Sequence, residues 1–97
     1  MENGEYFSSS EPYILMNVES GKYNYIHDEI TGKTCILEHF HVGERGWLSV
    51  DYGECDVPWY SSVYTSPVLS ILVSDDEREV QITTKNSVYH FFAAQRE

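Results

Sequence analysis

An all-β fold is predicted: a small antiparallel barrel or sandwich, SH3-like or OB-like, of roughly six to seven strands. Turn signals recur roughly every 8 to 12 residues, the spacing of such folds. β-branched and aromatic residues dominate the periodic segments. No stretch keeps apolar residues at helical spacing, so little helix is expected.

Residues 1–11 contain Ser8-Ser9-Ser10 and several Glu without periodicity, and they read as a flexible arm ahead of one β domain over residues 12–97. Residues 13–18, a turn at Glu19-Ser20-Gly21 and residues 22–27 read as a first hairpin. After a turn ending at Gly32, residues 33–42 form one long strand. Strict alternation puts Ile36, Glu38, Phe40 and Val42 on one face, with Cys35, Leu37, His39 and His41 on the other. Gly43-Glu44-Arg45-Gly46 is a turn, and the strand after it buries Leu48, Val50 and Tyr52 against exposed Ser49 and Asp51.

Residues 53–66 are the longest irregular stretch, with room for a short helical turn over 56–63. A meander closes the chain. Residues 67–73 are a buried strand, Ser74 to Arg78 a charged turn, and residues 79–84 and 87–92 a hairpin about Lys85-Asn86. Asn86 suits the left-handed backbone of a tight hairpin.

A length of 97 residues suffices for one hydrophobic core, and 41% hydrophobic with 14% aromatic residues lets it form without a disulfide or a metal. No cofactor is expected. Sixteen acidic against six basic residues give a net charge of -10, which repels phosphate and anionic lipid. Direct nucleic-acid binding and membrane association are therefore not expected. The acidic N-terminus lacks the apolar run of a secretory signal, and the longest apolar run, residues 68–73, is far short of the roughly 20 residues of a membrane helix. A cytoplasmic location with Cys35 and Cys55 as reduced thiols is the expectation.

The preferred interaction site is the 53–66 segment with its approach: Trp59 and Tyr60 as apolar anchors, Tyr64 and Tyr52 as polar-tipped rings, Glu54 and Asp56 as an acidic rim. Large amphipathic rings give contact area at low entropic cost. The alternative role for these rings is to plug one end of the core. His39 and His41, two apart on a strand, share a face where imidazoles can hold a metal. A third ligand from Cys35, His27, His90 or a carboxylate is needed, and two solvent-facing histidines are the simpler reading; no metal is assigned. Asp51, Glu54 and Asp56, with Asp75, Asp76, Glu77 and Glu79, would imitate nucleic acid if they lined one face. Otherwise they are solvated turn residues that discourage edge-to-edge association. Glu38 would have a raised pKa if buried beside Phe40. No nucleophile elbow, phosphate loop or His-Glu-x-x-His motif is present, so no enzyme is expected.

The strand Thr65-Ser66-Pro67-Val68 followed by Thr83-Thr84-Lys85-Asn86-Ser87-Val88-Tyr89 resembles the C-terminal ends of small proteins encoded by bacteriophages and mobile elements. The resemblance covers roughly the last 30 residues and transfers no site residue. It implies a bacterial host cell, where small acidic proteins act as stoichiometric inhibitors of host or defence proteins. The function expected is thus a non-enzymatic binding module for a protein with a basic surface. The alternatives are a nucleotide-type small-molecule sequestering protein and a nucleic-acid mimic. Open sheet edges would also allow a homodimer.

Overall fold

Residues Pro12–Ser20 hydrogen-bond along Ser87–Ala93, and this pairing rolls the sheet into a closed barrel. The computed structural model describes residues 2–20, 25–51 and 60–94. In chain order these form β1 (Glu2–Gly4), β2 (Tyr6–Phe7), β3 (Pro12–Ser20), α1 (Tyr25–Ile30), β4 (Thr34–His41), β5 (Arg45–Asp51), β6 (Tyr60–Val73), β7 (Glu79–Thr84) and β8 (Ser87–Ala93). From β3 onward each strand pairs antiparallel with the next and β8 returns to β3, an up-and-down barrel of six strands. An even number lets an antiparallel ring close without a mismatched pair. Of the two expected architectures, the barrel is the one found. No helix among the described residues is long and apolar enough to cross a membrane.

Side chains fill the interior. Leu15, Leu37, Phe40, Leu48, Val50, Val68, Ile71, Ile82 and Phe91 are buried in one cluster with Ile30 from α1. Strict alternation holds along β7 and β8, where Val80, Ile82 and Thr84 face Ser87, Tyr89 and Phe91. Elsewhere bulges interrupt it. An extra residue at Met16, Glu38 and Leu69, and one within Thr65-Ser66, shifts the register against the neighbouring strand. At each place the inward spacing becomes three rather than two: Leu15 to Val18, Leu37 to Phe40, Thr65 to Val68, Val68 to Ile71. The predicted faces of the long strand are corrected accordingly. Cys35 and Leu37 point inward, Phe40 joins them beyond the bulge, and Glu38 turns outward to accept a hydrogen bond from Ser49 Oγ at 2.8 Å.

Three expectations about local structure are overturned. Residues 25–27, expected in a hairpin strand, lie in α1, because His27 and Ile30 one turn apart can both face the end of the barrel. Gly32, at φ 89°, and Thr31, whose hydroxyl donates to His27 O at 2.6 Å, end the helix. Residues 21–24 lie outside the described residues. The N-terminal arm is docked: β1 pairs with β6, β2 pairs with β4, and Phe7 packs edge-on to Tyr13 at 6.0 Å. Backbone pairing and the Phe7 ring outweigh the missing periodicity. Residues 60–66, expected to be irregular, are the first half of the 14-residue β6 and pair with β5. Cross-strand pairing overrides their poor alternation and excludes a helical turn over 60–63, while residues 53–59 of the expected irregular stretch lie outside the described residues.

The final hairpin is where it was expected but closes differently. Thr84 Oγ1 donates to Ser87 O at 3.0 Å and accepts from Ser87 N at 3.1 Å. Neither Lys85 nor Asn86 takes a positive φ; among the described non-glycine residues only Glu77 does, at 60°. The side-chain closure makes the left-handed residue unnecessary, and Asn86 instead donates to Ser66 Oγ at 2.7 Å.

Gly46 is buried in β5, and a Cβ there would lie 2.3 Å from Phe40 Cδ1. Gly46→Ala is expected to destabilise the fold by about 1 to 3 kcal/mol through overpacking, read as a lower urea midpoint with unchanged m-value.

Candidate interaction surface

Across the outer face of the barrel, His39 on β4 is paired with Trp47 on β5, and Trp47 with Tyr64 on β6. Residues directly opposite on neighbouring strands project from the same face, so these rings form a row. Trp47 stacks on Tyr64 with centroids 6.0 Å apart and planes 23° from parallel. The Arg45 guanidinium lies 5.8 Å from the Tyr64 centroid and is anchored by Nε donating to Thr65 O at 2.9 Å. The docked N-terminus extends the row: the Tyr6 ring meets His39 edge-on at 5.5 Å and His41 at 6.1 Å. Tyr6 and Tyr64 are 52% and 58% exposed. Together with Met16 and Leu69 they are the large hydrophobic residues that the described fold leaves open. Met16 and Leu69 are extruded by bulges, whereas the two tyrosines belong to one continuous stripe.

Glu44 joins the two histidines. Its carboxylate is 3.1 Å from His39 Nε2 and 3.9 Å from His41 Nδ1, and His41 Nδ1 also lies 2.8 Å from Val42 O, to which it donates. Cys35, expected on this face, points into the core because of the bulge at Glu38. Among the described residues no three His, Cys, Asp or Glu side chains converge on a point where a metal would sit.

Of the site residues expected from the sequence, Tyr64 is brought into the stripe and Tyr60 opens β6 opposite Asp51. Tyr52, Glu54, Asp56 and Trp59 lie outside the described residues. Trp47, Arg45, Glu44 and Tyr6 were missed. Alternation from buried Leu48 and Val50 already directs Trp47 outward, and an outward Trp on a half-buried strand is a readable signal. Tyr6 carried none, since its strand has only two residues.

The acidic residues serve the turns. Asp51 pairs with the first residue of β6, while Asp75, Asp76 and Glu77 follow its last, so these groups sit at opposite ends of a long strand. Asp76 accepts hydrogen bonds from the Ser74 hydroxyl at 2.8 Å and the Arg78 amide at 3.1 Å, and these hold its carboxyl below the usual range. Tyr13 donates to Glu77 O at 2.6 Å, securing the left-handed residue. Burial first, then the Glu77 charge, push the Tyr13 phenol up. Beside this turn is an open cavity of about 620 Å³ bordered by Glu11, Tyr13, Glu77, Arg78 and Ala93.

Fold and surface together define a closed, side-chain-filled β-barrel that presents an aromatic stripe on its outer wall. Comparison with protein families, curated proteins and solved structures finds no match.

Cys35 is a free thiol inside the barrel, and burial pushes its pKa up to about 12. In a Cys55→Ser variant, Cys35 is expected to resist a disulfide reagent at about pH 8 and to react only once the chain is unfolded, followed by absorbance of the released thiolate.

Proposed function

We propose that this chain is a small acidic, non-enzymatic binding module that engages a protein with a basic surface through the stripe formed by Tyr6, His39, Trp47 and Tyr64. The observation that carries this reading is the stripe itself: rings from neighbouring strands, held in register by the sheet, with Tyr6 and Tyr64 exposed and His39 and Trp47 half-buried between them. Stacked, pre-ordered rings lose little rotamer entropy on contact, which is why Trp, Tyr and Arg dominate binding energy at interfaces. The net charge of -10 supplies the long-range attraction for a basic partner, and exposed Glu44 supplies a local carboxylate beside the rings. Occlusion of that partner, with no bond made or broken, is the mode of action. It is the mode that the resemblance to phage and mobile-element proteins implies.

Capture from a bacterial lysate by wild type, Tyr64→Ala, Trp47→Ala and a Met16→Ala control is the test. Tyr64→Ala is expected to weaken capture of the partner by about 2 kcal/mol, roughly 30-fold. The stability cost is only that of one surface aromatic pair, about 1 kcal/mol. Met16→Ala on β3, where Met16 borders β7 and β8 instead of the stripe, is expected to bind as wild type, and binding should fall as salt rises. Equal capture by wild type and both stripe variants would overturn the proposal.

A further inference from the structure

In a chain with sixteen acidic residues against six basic ones, an arginine has many carboxylates to choose from, yet both arginines among the described residues rest on aromatic rings. Arg78 lies 5.4 Å from the Phe92 centroid at the end of the Asp75-Asp76-Glu77 turn, so its charge is balanced locally. Arg45 is placed differently. It stands exposed at the start of β5, and among the described residues no carboxylate is ion-paired with it, although Glu44 is its neighbour in the chain. The two side chains diverge: Glu44 reaches back to His39 and His41 on β4, and Arg45 reaches forward to Tyr64 and Thr65 on β6. Charges of opposite sign thus stand on either side of the ring row. The bulge within Thr65-Ser66 supplies the hold on Arg45. There Gly46 N donates to Thr65 Oγ1 at 3.0 Å, and Thr65 O accepts from Arg45 Nε at 2.9 Å. With Nε bound and the guanidinium against the Tyr64 ring, Nη1 and Nη2 remain as paired donors for a further acceptor.

We propose that Arg45 is the specificity-determining residue of the stripe: its Nη pair takes one carboxylate of the partner, an Asp or Glu set within the basic surface that the rings and Glu44 meet. This rests on the reading of the stripe as a protein-binding surface and goes a step beyond it, because a net charge of -10 by itself favours any basic partner. The guanidinium fork matches the two oxygens of a carboxylate, and its side chain is ordered before contact, so little rotamer freedom is lost in forming the pair. A carboxylate suits the site better than a phosphate, since a single negative charge among basic residues meets less repulsion from an acidic molecule. A basic surface without that carboxylate sets Arg45 against like charge, which is how the stripe tells one basic protein from another.

Selection of a displayed random peptide library on the full chain, with Tyr64→Ala as the counter-selection, tests this. The peptides that wild type enriches are expected to be basic with an Asp or Glu at one fixed position. In a synthetic peptide of that sequence, replacing the acid by its amide is expected to weaken binding to wild type about tenfold and binding to Arg45→Gln less than about twofold. Arg45→Lys, which keeps the charge without the fork, is expected to recover only part of that difference. Basic peptides without an acidic position, or an acidic position worth the same in wild type and Arg45→Gln, overturn the role of Arg45 and leave the stripe as a general binder of basic surfaces. If Arg45→Gln does not fold, Arg45→Lys decides: an undiminished effect of the acid there overturns the two-pronged pair. Failure to enrich any peptide over Tyr64→Ala overturns the stripe reading and the role of Arg45 with it.

Discussion

Pairing of β3 with β8 is the constraint on which the rest of the molecule depends. It joins the first long strand to the last, and it requires a sheet of six strands to curl through a full turn. Flat, regularly alternating strands cannot curl that tightly. The extra residues at Met16, Glu38 and Leu69 and within Thr65-Ser66 provide the bends, each increasing local twist on the strand that carries it. The same bends decide which side chains the core receives, because each moves the inward position by one. Closure gives each of β3 to β8 two neighbouring strands, and β1 and β2 pair along stretches of β6 and β4 that those neighbours leave open.

A barrel this narrow has its interior taken up by its own side chains, and the buried Leu, Ile, Val and Phe cluster occupies it. The exposed aromatic rings therefore lie on the outer wall. There the strand spacing of about 4.8 Å sets the rings of neighbouring strands beside each other. Trp47 and Tyr64 stack because their positions are directly opposite, and Tyr6 reaches His39 and His41 because β2 lies along the end of β4. The surface is composite: β2, β4, β5 and β6 each contribute a ring. Loosening β1 and β2 would remove Tyr6 from it without touching the remainder.

Legibility in the sequence followed the reach of the interactions involved. The meander of β6, β7 and β8, the Ser74–Arg78 turn and the placement of β4 and β5 were readable from alternation and from Gly-rich or charged breaks, all local signals. Tyr64 was readable as an exposed ring, and Trp47 would have been, had its alternation with Leu48 and Val50 been followed outward. By contrast, residues 60–66 show little alternation of their own. They are strand because β5 presents a row of hydrogen-bonding partners to them. Residues 25–30 are helix because an apolar position one turn from His27 fits the barrel end, a requirement that exists only once the barrel does.

By itself, then, the sequence determined an antiparallel all-β chain, acidic overall and rich in aromatic residues, because side-chain period, turn residues and charge are written into adjacent positions. Tertiary structure alone decided the closure, the places where inward spacing changes from two to three, the docking of Tyr6 and the exclusion of Cys35 from the histidine face. Each of those depends on residues far apart in the chain meeting across a strand pair, and no local pattern carries the position of a partner.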